Sequence, residues 1–393
     1  MITDIKILKF KSIFWLVQGE TTKKQLALMT NQNRTITIKV MISIAIFVKN
    51  LTSGGAEKQS VLLAKALAND YDVHYIILND AKIHEKYLDM LHEDNKIKTI
   101  SFKGSLIKRY IHFVKYLKAN NIKAIFSYLT AANVFACLAK ILTGTKVYTG
   151  IRNSELPLVK CIADKVLTNY FSDQTICNCF SGKENFVNKG FKSSKISVIP
   201  NCFENISTNE SINNNSNIHI ITVGRFVPQK DYETAIKCIA EVRKNNSNII
   251  FDIVGYGELE NNIRTWLKQY QIEDITNVFI NPHNIPELLQ HADIYLSTSL
   301  FEGTSNSIME GMNANLPIVA TNVGDNAQLI KQGYNGFISN IKDYKNLAKN
   351  LNLLISDNKL KTDMGMHSKE LLKSEYSMEQ FRKKYLSILG KNL

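Results

Sequence analysis

The sequence predicts an α/β protein made of two doubly wound, Rossmann-like domains in tandem. Three observations lead to this fold class. A chain of 393 residues exceeds the size at which one hydrophobic core keeps growing, so two domains of about 150–200 residues each are expected. Short β-branched runs alternate with amphipathic stretches, which is the pattern of βαβ units around a parallel sheet. The alternation stops at the Asn- and Ser-rich residues 203–217 and then begins again.

The first series of elements predicts an amino-terminal domain over residues 35–202. Its strands are the runs ITIKVMISIAIFV, YDVHYIIL, IKAIFSYL, KVYTG, QTICNC and KISVIP. The stretch EKQSVLLAKALAND has the spacing of an amphipathic helix. Residues 1–34 do not fit the domain. They are either a misassigned start, with Met29 or Met41 as the initiator, or a peripheral membrane arm.

The second series follows a linker at residues 203–217 and predicts a carboxy-terminal domain over residues 218–375. Its strands are IHIITVGRF, NIIFDIVGYGE, NVFIN, DIYLSTS, PIVATNV and NGFIS, with helices at 231–244, 258–270 and 306–314. The final segment, 376–393, contains SMEQFRKKYLSIL, a capped amphipathic helix whose packing partner the pattern does not assign. In doubly wound domains the ligand crevice lies at the carboxyl ends of the strands, here between the two domains.

Composition excludes some classes of protein. The chain is 45% hydrophobic and 21% charged, and no apolar run approaches the 18 residues of a membrane-spanning helix, so an integral membrane protein is excluded. The six cysteines show neither paired CxxC spacing nor neighbouring His ligands, which predicts reduced thiols in a cytoplasmic protein. Cys177 and Cys179 alternate along a predicted strand, so we expect their thiols on opposite faces.

The net charge of +13 is confined to the first half. Residues 1–200 contain 29 Lys and Arg against 14 Asp and Glu, whereas residues 201–393 contain 19 against 21. Residues 101–121 place six apolar side chains at helical spacing and leave lysines for the other side: Leu106, Ile107, Tyr110, Ile111, Val114 and Leu117. Such a helix either docks on an anionic membrane or packs on the core with a solvated face. A nucleic-acid binder is not favoured, because the basic half lacks a recognition motif and interleaved aromatic residues.

The stretch VGRFVPQKD follows the first strand of the second half. Gly224 ends that strand and permits a tight turn, which brings Arg225 and Lys230 towards the strand's carboxyl end. Arg grips phosphate oxygens in bidentate fashion and Lys adds a mobile charge, so the pair suits a diphosphate. The alternative is two solvated cations on a loop.

The stretch EGTSNSIMEGM places two carboxylates around a helix start. Glu302 follows a strand, Gly303 to Ser305 lead into the helix, and Glu310 lies on it. Thr304, Ser305 and Asn306 are helix N-cap types, and free amides at a helix start attract an anion. The carboxylates suit sugar hydroxyls and the amides and cations suit phosphates.

Two glycine-rich turns complete the pattern. Gly255 and Gly257 in GYGE permit close approach of backbone to a nucleotide, although a full dinucleotide fingerprint is lacking. Gly54 and Gly55 in LTSGGAEKQ allow positive φ and leave room for a phosphate or a sugar, or form a common structural turn.

In this order and spacing, VGRFVPQKD, IVGYGELE, FEGTSNSIMEGMNANLPIVATNVGDNAQLI and NGFI resemble the carboxy-terminal domain of retaining GT-B glycosyltransferases of family GT4. EGTSNSIME matches the E-x7-E motif of that family. The resemblance extends through LTSGGAEKQSVLLAKAL, SYLTAANVFACLAK and VIPN to about residues 38–390. It implies two Rossmann-like domains facing a central cleft, the first binding the acceptor and the second the donor.

The resemblance also implies an activity and residue roles. The activity is retaining, metal-independent transfer of a sugar from a nucleotide diphosphate donor, often UDP-linked, with no cofactor. Arg225 and Lys230 would bind the diphosphate and Glu310 the ribose, while Glu302 with the backbone from Gly303 to Ser305 would bind the donor sugar and phosphates. Gly54 and Gly55 would approach the donor from the first domain.

The sequence departs from the family at one position. Many relatives carry a His after the fifth strand, where YTGIRNSE offers Arg152 and Asn153. These residues are candidates for the acceptor or a phosphate, and a structural salt bridge of Arg152 is the alternative. We expect a lipid-linked or oligosaccharide acceptor, a peripheral location at the inner face of the cell membrane, and no nucleic-acid partner. A catalytically silent scaffold and a nucleotide-sugar epimerase of the same fold are the competing hypotheses.

Overall fold

The computed structural model describes residues 41–81, 83–204 and 217–390, which form two parallel sheets. The predicted extension at 1–34 and most of the predicted linker lie outside these residues. In both sheets the chain starts in the middle, winds to one edge, returns and winds to the other, and this is the doubly wound topology that the sequence predicts.

The first sheet has seven parallel strands in the order β3-β2-β1-β4-β5-β6-β7. Its strands are β1 Ser43–Val48, β2 Asp72–Ile77, β3 Ile97–Ser101, β4 Ala124–Tyr128, β5 Lys146–Ile151, β6 Gln174–Cys177 and β7 Ile196–Val198. The helices between them are α1 Gly55–Leu67, α2 Glu85–His92, α3 Leu106–Ala119, α4 Leu129–Thr143, α5 Leu158–Val166 and α6 Phe180–Asn188. A π-helical turn, Leu167–Phe171, continues α5, and a 3₁₀ turn, Ser193–Lys195, precedes β7.

Alternation along β1 divides the first domain into two cores. Ile44 and Ile46 face the side covered by α1 and α2. Ala45 and Phe47 face the side covered by α3 and α4, where Phe47 stacks on Phe113. Since both faces of a parallel sheet are covered in this way, the strand is apolar from Ile44 to Val48.

The second sheet has six parallel strands in the order β10-β9-β8-β11-β12-β13. Its strands are β8 Ile218–Arg225, β9 Ile249–Tyr256, β10 Thr276–Ile280, β11 Ile294–Ser297, β12 Ile318–Thr321 and β13 Gly336–Ser339. Its helices are α7 Tyr232–Arg243, α8 Glu260–Gln269, α9 Ile285–Gln290, α10 Asn306–Asn313, α11 Asn326–Leu329, α12 Tyr344–Ser356 and α13 Asn358–Tyr376. Two 3₁₀ turns, Pro228–Lys230 and Glu273–Ile275, precede α7 and β10.

The last helix, α14 Met378–Gly390, returns to the first domain and gives the partner that the sequence does not assign. Phe381, Tyr385 and Leu389 are buried in the core beneath α1. Arg382 donates from Nε and Nη2 to the two carboxylate oxygens of Asp70, at 2.7 Å each. The end of the chain therefore ties the second domain to the first.

The sequence predicts these elements well, with three corrections. Strand β3 is not among the predicted strands; it is a five-residue edge strand whose side chains are mostly not fully buried. In α3 only Val114 and Leu117 of the predicted apolar face are buried, and Leu106, Ile107 and Ile111 are exposed. The reason is that the large buried side chain of this helix is Phe113, which turns a different face to the sheet.

The third correction concerns the cysteines, all six of which are buried with free thiols. The expectation that Cys177 and Cys179 point to opposite faces is wrong, because β6 ends at Cys177 and Cys179 already precedes α6. The hydrogen bond from the Cys179 thiol, acting against burial, lowers the pKa of Cys177. Within the described residues no helix is long and apolar enough to span a bilayer.

Candidate active site between the two domains

Both sheets direct the carboxyl ends of their strands to the region where the domains meet. In the second domain these ends lead to the loops that follow β8, β9, β11 and β12. In the first domain they lead to Gly54, Arg152 and Asn178, after β1, β5 and β6. Open α/β sheets bind ligands outside the carboxyl ends of their strands, so this is the expected place for a site.

Lys230 and Glu302 form an ion pair at the centre of this region. Lys230 Nζ lies 2.6 Å from Glu302 Oε1, and the side chains are 17% and 10% exposed. Ser299 Oγ donates to the same carboxylate oxygen at 2.8 Å, and Thr298 Oγ1 donates to the Lys230 carbonyl at 3.0 Å. The loops after β8 and β11 thus hold the cation and the carboxylate in one fixed arrangement.

Arg225 ends β8 and is exposed. Its guanidinium makes no hydrogen bond or ion pair with any residue between 41 and 390 that the structure describes. Arg225 and Lys230 lie on one loop. The loop ends in the 3₁₀ turn Pro228–Lys230 and in Asp231, which has φ of +47° and leads into α7. The loop therefore presents one held cation and one free cation.

The glycines of β8 and β9 let these two loops pack together. Gly255 and Gly257 adopt φ of +158° and +149°, and a Cβ at either would meet the backbone of Gly224 or Phe226. At Gly224 a Cβ would lie 3.2 Å from Lys230 Cε. Gly255 and Gly257 are therefore needed because the backbone of the loop after β8 passes so close to them. This packing fixes where Arg225 and Lys230 lie.

The segment from Gly303 to Ser305 is held against the first domain. Ser305 is the N-cap of α10 and accepts from the Ile308 N–H at 3.4 Å, as its residue type predicts. Thr304 Oγ1 donates to the Asn178 carbonyl, and Asn201 Nδ2 donates to the Thr304 carbonyl at 3.1 Å. A Cβ at Gly303 would lie 2.8 Å from Asn178 Nδ2, so a larger residue there would displace the Asn178 amide.

Glu310 pairs across the domains with Lys58 of α1, whose Nζ lies 3.2 Å from Glu310 Oε1. Gly54 and Gly55 lie at the start of α1. Neither adopts the positive φ that glycine allows, since Gly54 has φ of −75° and Gly55 is helical. At Gly55 the requirement is space, because a Cβ there would lie 2.6 Å from Asn306 Nδ2.

Arg152 lies apart from the Lys230–Glu302 pair and is buried in the first domain. Its Nη2 donates to Tyr385 Oη at 3.0 Å, and its guanidinium carbon lies 4.1 Å from the centre of the Tyr128 ring. Nε and Nη1 have no partner among the described residues. The alternative of a structural salt bridge is wrong, because no carboxylate of the described chain pairs with it. Asn153 is exposed.

Sequence reasoning missed several residues of the region. Asp325 Oδ2 and Oδ1 accept from the backbone N–H groups of Phe180 and Ser181 at 2.7 and 3.0 Å, across the domains. Gly324, with φ of +54°, lies so close to the Glu302 carbonyl that no Cβ would fit. The stretch VGDN at the end of a strand is the only sequence signal for Asp325 and Gly324. The sequence gives no signal for the partners of Asp325, which lie about 145 residues away along the chain.

One tyrosine of the first domain is influenced by the charge of Glu310, the candidate for ribose binding. Burial raises the pKa of Tyr87 on α2 to about 12, helped by the negative charges of Glu310 and Glu57. Its hydroxyl is therefore a protonated hydrogen-bond group at neutral pH. In the part of the chain that the structure describes, no cluster of three or more His, Cys, Asp or Glu could hold a metal ion.

Comparison with known proteins identifies the second domain. Residues 203–371 match the family model "Glycosyl transferases group 1". An uncharacterized glycosyltransferase of Haemophilus influenzae is 26% identical over 370 residues, covering 89% of this chain and all of the relative. An α-1,4-N-acetyl-D-galactosaminyltransferase of Campylobacter jejuni, which acts on an undecaprenol diphosphate-linked glycan, is 22% identical and covers 89% of this chain and 99% of the relative.

Solved structures show the same fold. HepE of Anabaena in complex with UDP-glucose superposes with a TM-score of 0.78 at 17% identity, covering 89% of this chain and all of that chain. TarM, which is also solved as an S. aureus protein, gives a TM-score of 0.75 at 13% identity, covering 89% of this chain and 99% of that chain. The second domain therefore matches the glycosyl transferases group 1 family model, and the chain has the GT-B fold that its motifs predict.

Proposed function

We propose that the protein is a retaining glycosyltransferase that moves a hexose or an N-acetylhexosamine from a nucleotide diphosphate sugar, UDP-linked, to a lipid-linked oligosaccharide or polysaccharide. One observation carries the proposal. Lys230, a cation held by the largely buried carboxylate of Glu302, and Arg225, a cation without a partner among the described residues, project from one loop. That loop lies at the carboxyl edge of the domain that matches the family model.

These two cations fit the chemistry of the leaving group. As the bond from the anomeric carbon to the diphosphate breaks, negative charge grows on the diphosphate. Cations that are already in place favour the transition state over the ground state. A unit charge pair about 4 Å apart at an effective dielectric near 20 interacts by about 4 kcal/mol, and each ~1.4 kcal/mol gained only in the transition state gives about tenfold in rate. Arg225 and Lys230 would thus do the work that Mg²⁺ does in other transferases.

The carboxylates of the site suit the hydroxyl groups of the donor. Glu310 on α10 would accept from the ribose diol once Lys58 releases it, and Glu302 with the backbone of Gly303 to Ser305 would hold the donor sugar and phosphates. Gly54 and Gly55 would approach from the first domain. We see no carboxylate placed as a nucleophile in the described residues. We therefore propose front-face substitution, in which the acceptor oxygen attacks on the side from which the diphosphate departs and its proton passes to a phosphate oxygen.

The donor and acceptor classes follow from relatives and from the first domain. HepE is solved with UDP-glucose, and the Campylobacter jejuni relative acts on a lipid diphosphate-linked glycan. The buried Arg152, whose Nε and Nη1 have no partner among the described residues, and the exposed Asn153 beside it are our candidates for binding an acceptor group or a phosphate. A lipid-linked acceptor also agrees with the proposed anionic membrane partner and a location at the inner face of the cell membrane.

A panel of radiolabelled nucleotide sugars tests the proposal. Incubation with a lipid diphosphate-linked acceptor in EDTA should transfer label from one UDP-sugar, and NMR of the product should show the anomeric configuration of the donor. Inversion would refute the retaining mechanism, and dependence on Mg²⁺ would refute the role of the two cations. A changed nucleotide sugar without transfer would indicate an epimerase, and no binding of UDP in calorimetry would indicate a silent scaffold.

A further inference from the structure

One face of the first domain exposes apolar side chains on three consecutive helices. On α5 the exposed residues are Leu158, Val159, Ile162 and Val166, and the first two are 75% and 80% exposed. The residues between them turn inward: Cys161 and Asp164 are buried. The stripe continues onto the π-helical turn with Tyr170 and Phe171. This helix therefore directs its apolar side to the outside.

The two neighbouring helices extend this surface. Helix α4 packs against α5, where Thr130 Oγ1 donates to Asp164 Oδ2 at 2.6 Å, and it exposes Leu138, Ile141 and Leu142. Helix α3 packs against α4 and exposes Leu106, Ile107 and Ile111, with Ile107 74% exposed. We call the exposed apolar residues of α3, α4, α5 and the π-helical turn the outer apolar face. Contiguous apolar surface of this kind marks an interaction site.

The charges around the outer apolar face are almost all positive. Five exposed lysines lie on or beside α3 and α5: Lys103, Lys108, Lys115, Lys118 and Lys160. Lys192 Nζ lies 5.0 Å from the centre of the Tyr170 ring. Between residues 102 and 171 the sequence contains two acidic residues, and one of them, Asp164, is buried. Only Glu155 is an exposed acid in this stretch.

An apolar surface bordered by lysines fits one class of partner better than others. A protein partner with an apolar face leaves the lysines without a role, whereas a nucleic acid leaves the leucines and valines without one. An anionic bilayer surface uses both, because apolar side chains enter the acyl boundary while lysines bind the headgroups.

We infer that the outer apolar face of α3, α4 and α5 is the surface by which the protein docks on an anionic lipid bilayer. This inference deepens the proposed function. It rests on that function only for the reason to dock, which is to bring the site to a lipid-linked acceptor. It also places the membrane contact on a larger surface than the helix predicted from the sequence. The predicted basic helix 101–121 supplies lysines and three apolar residues, and α4 and α5 supply the greater part of the apolar surface.

Flotation of the full-length protein with vesicles tests the inference. Phosphatidylcholine vesicles containing phosphatidylglycerol should carry the protein at low salt, and pure phosphatidylcholine vesicles should carry much less. The double variant Leu158→Ser, Val159→Ser should lower the partition coefficient at least tenfold, since each side chain loses its burial in the acyl boundary. The double variant Lys108→Ala, Lys115→Ala should lower it by roughly 30-fold at low salt and far less at high salt.

Matched controls lie on the second domain. Ile341→Ser with Leu353→Ser removes apolar residues of 49% and 43% exposure, and Lys345→Ala with Lys349→Ala removes two exposed lysines. Neither pair should change flotation. Calorimetry with UDP, done without lipid, should give the same affinity for every variant, so that failure to bind the donor is distinguished from failure to dock.

Three results would overturn the inference. The first is a loss of flotation in the second-domain control variants equal to that of the variants on the outer apolar face. The second is flotation of the wild type that does not depend on phosphatidylglycerol. The third is a wild type that does not float with anionic vesicles at low salt. If sedimentation instead shows a dimer that the Leu158→Ser, Val159→Ser variant abolishes, the outer apolar face binds a second copy of the chain and not a membrane.

Discussion

At the scale of single residues, Lys230 has a structural and a chemical role, and a variant should show both. Lys230→Ala leaves the Glu302 carboxylate, 10% exposed, without its cation. Breaking such a pair costs roughly 2–4 kcal/mol of stability, because the remaining charge stays largely out of water. Turnover should fall by about two decades as one charge facing the diphosphate is lost. Steady-state kinetics and thermal unfolding of the purified variant measure the two effects.

Arg225→Ala separates the chemical role from the structural one. Arg225 is exposed and has no partner in the described chain, so its removal should leave the unfolding temperature unchanged and still lower turnover by about two decades. Lys237→Ala is the matched control, since Lys237 makes only surface contacts, an ion pair with Glu233 at 2.8 Å and a cation–π contact with Tyr270. Normal turnover in Arg225→Ala would remove Arg225 from the site.

For the Lys58–Glu310 pair we expect a substitution to improve donor binding, whereas the substitutions above lower turnover. If Glu310 accepts from the ribose, donor binding must first break its contact with Lys58, and a partly exposed pair of this kind is worth about 0.2–1 kcal/mol. Lys58→Ala should therefore strengthen UDP binding by about 1.4-fold to fivefold in calorimetry. Glu310→Gln should weaken it, because the amide is a poorer acceptor. A tenfold weakening in Lys58→Ala would instead place Lys58 on the diphosphate.

At the scale of elements, the sequence predicts what depends on local pattern. A buried parallel strand such as β1, with the sequence SIAIFV, is a short apolar run and is recognised directly. Strand β3 is missed because IKTIS is short and partly exposed at the edge. The face of α3 is misassigned because the apolar residues of that helix cover more than one face, and only the tertiary packing of Phe113 selects between them.

A histidine on β8 gives the element-scale prediction. His219 Nδ1 lies 2.9 Å from Asp252 Oδ2 on β9, and this hydrogen bond, acting against burial, raises the pKa of His219. A raised folded-state pKa means that the contribution to stability is complete below about pH 6.5, the unfolded value, and is lost as pH rises through the folded pKa. The advantage of the wild type over His219→Gln, about 1–2 kcal/mol, should be largest in mildly acidic solution.

Scanning calorimetry of both proteins across pH measures this difference, and His74 of the first domain is the contrast. Burial lowers the pKa of His74 despite its contact with Asp72, so its contribution should be present above about pH 6.5 and lost as pH falls. A His219→Gln difference that grows with pH would contradict the assignment of His219 as a partner of ionised Asp252.

At the scale of the whole molecule, the candidate site forms where two distant parts of the chain meet. The motifs place Arg225, Lys230, Glu302 and Glu310 in one domain, because each motif follows a recognisable strand. The partners from the first domain, Lys58 for Glu310 and Asn178 for Thr304, lie 252 and 126 residues away along the chain. No local pattern specifies such contacts. They depend on how the two folded surfaces fit together.

Asp325 tests whether these contacts hold the domains together. Its carboxylate, 4% exposed, accepts from two backbone N–H groups at the start of α6 in the other domain, where the helix dipole also favours a negative charge. Two charge-assisted hydrogen bonds are worth about 3 kcal/mol together, which is on the order of 100-fold in the equilibrium between closed and open domains. Asp325→Ala should therefore increase the radius of gyration in small-angle scattering, and Asp325→Asn should have a smaller effect because one oxygen remains as acceptor.

Asp343→Ala is the control for Asp325→Ala, because it removes a carboxylate that acts within one domain only. Asp343 Oδ1 accepts from the Asn346 N–H at 3.1 Å and caps α12. Its loss should cost about 1 kcal/mol of stability and leave the scattering curve unchanged. If both variants give the wild-type curve while remaining folded, Asp325 does not control closure. The other contacts between the domains, among them Lys58–Glu310, Thr304–Asn178 and the packing of α14 on the first domain, then keep the site assembled without Asp325.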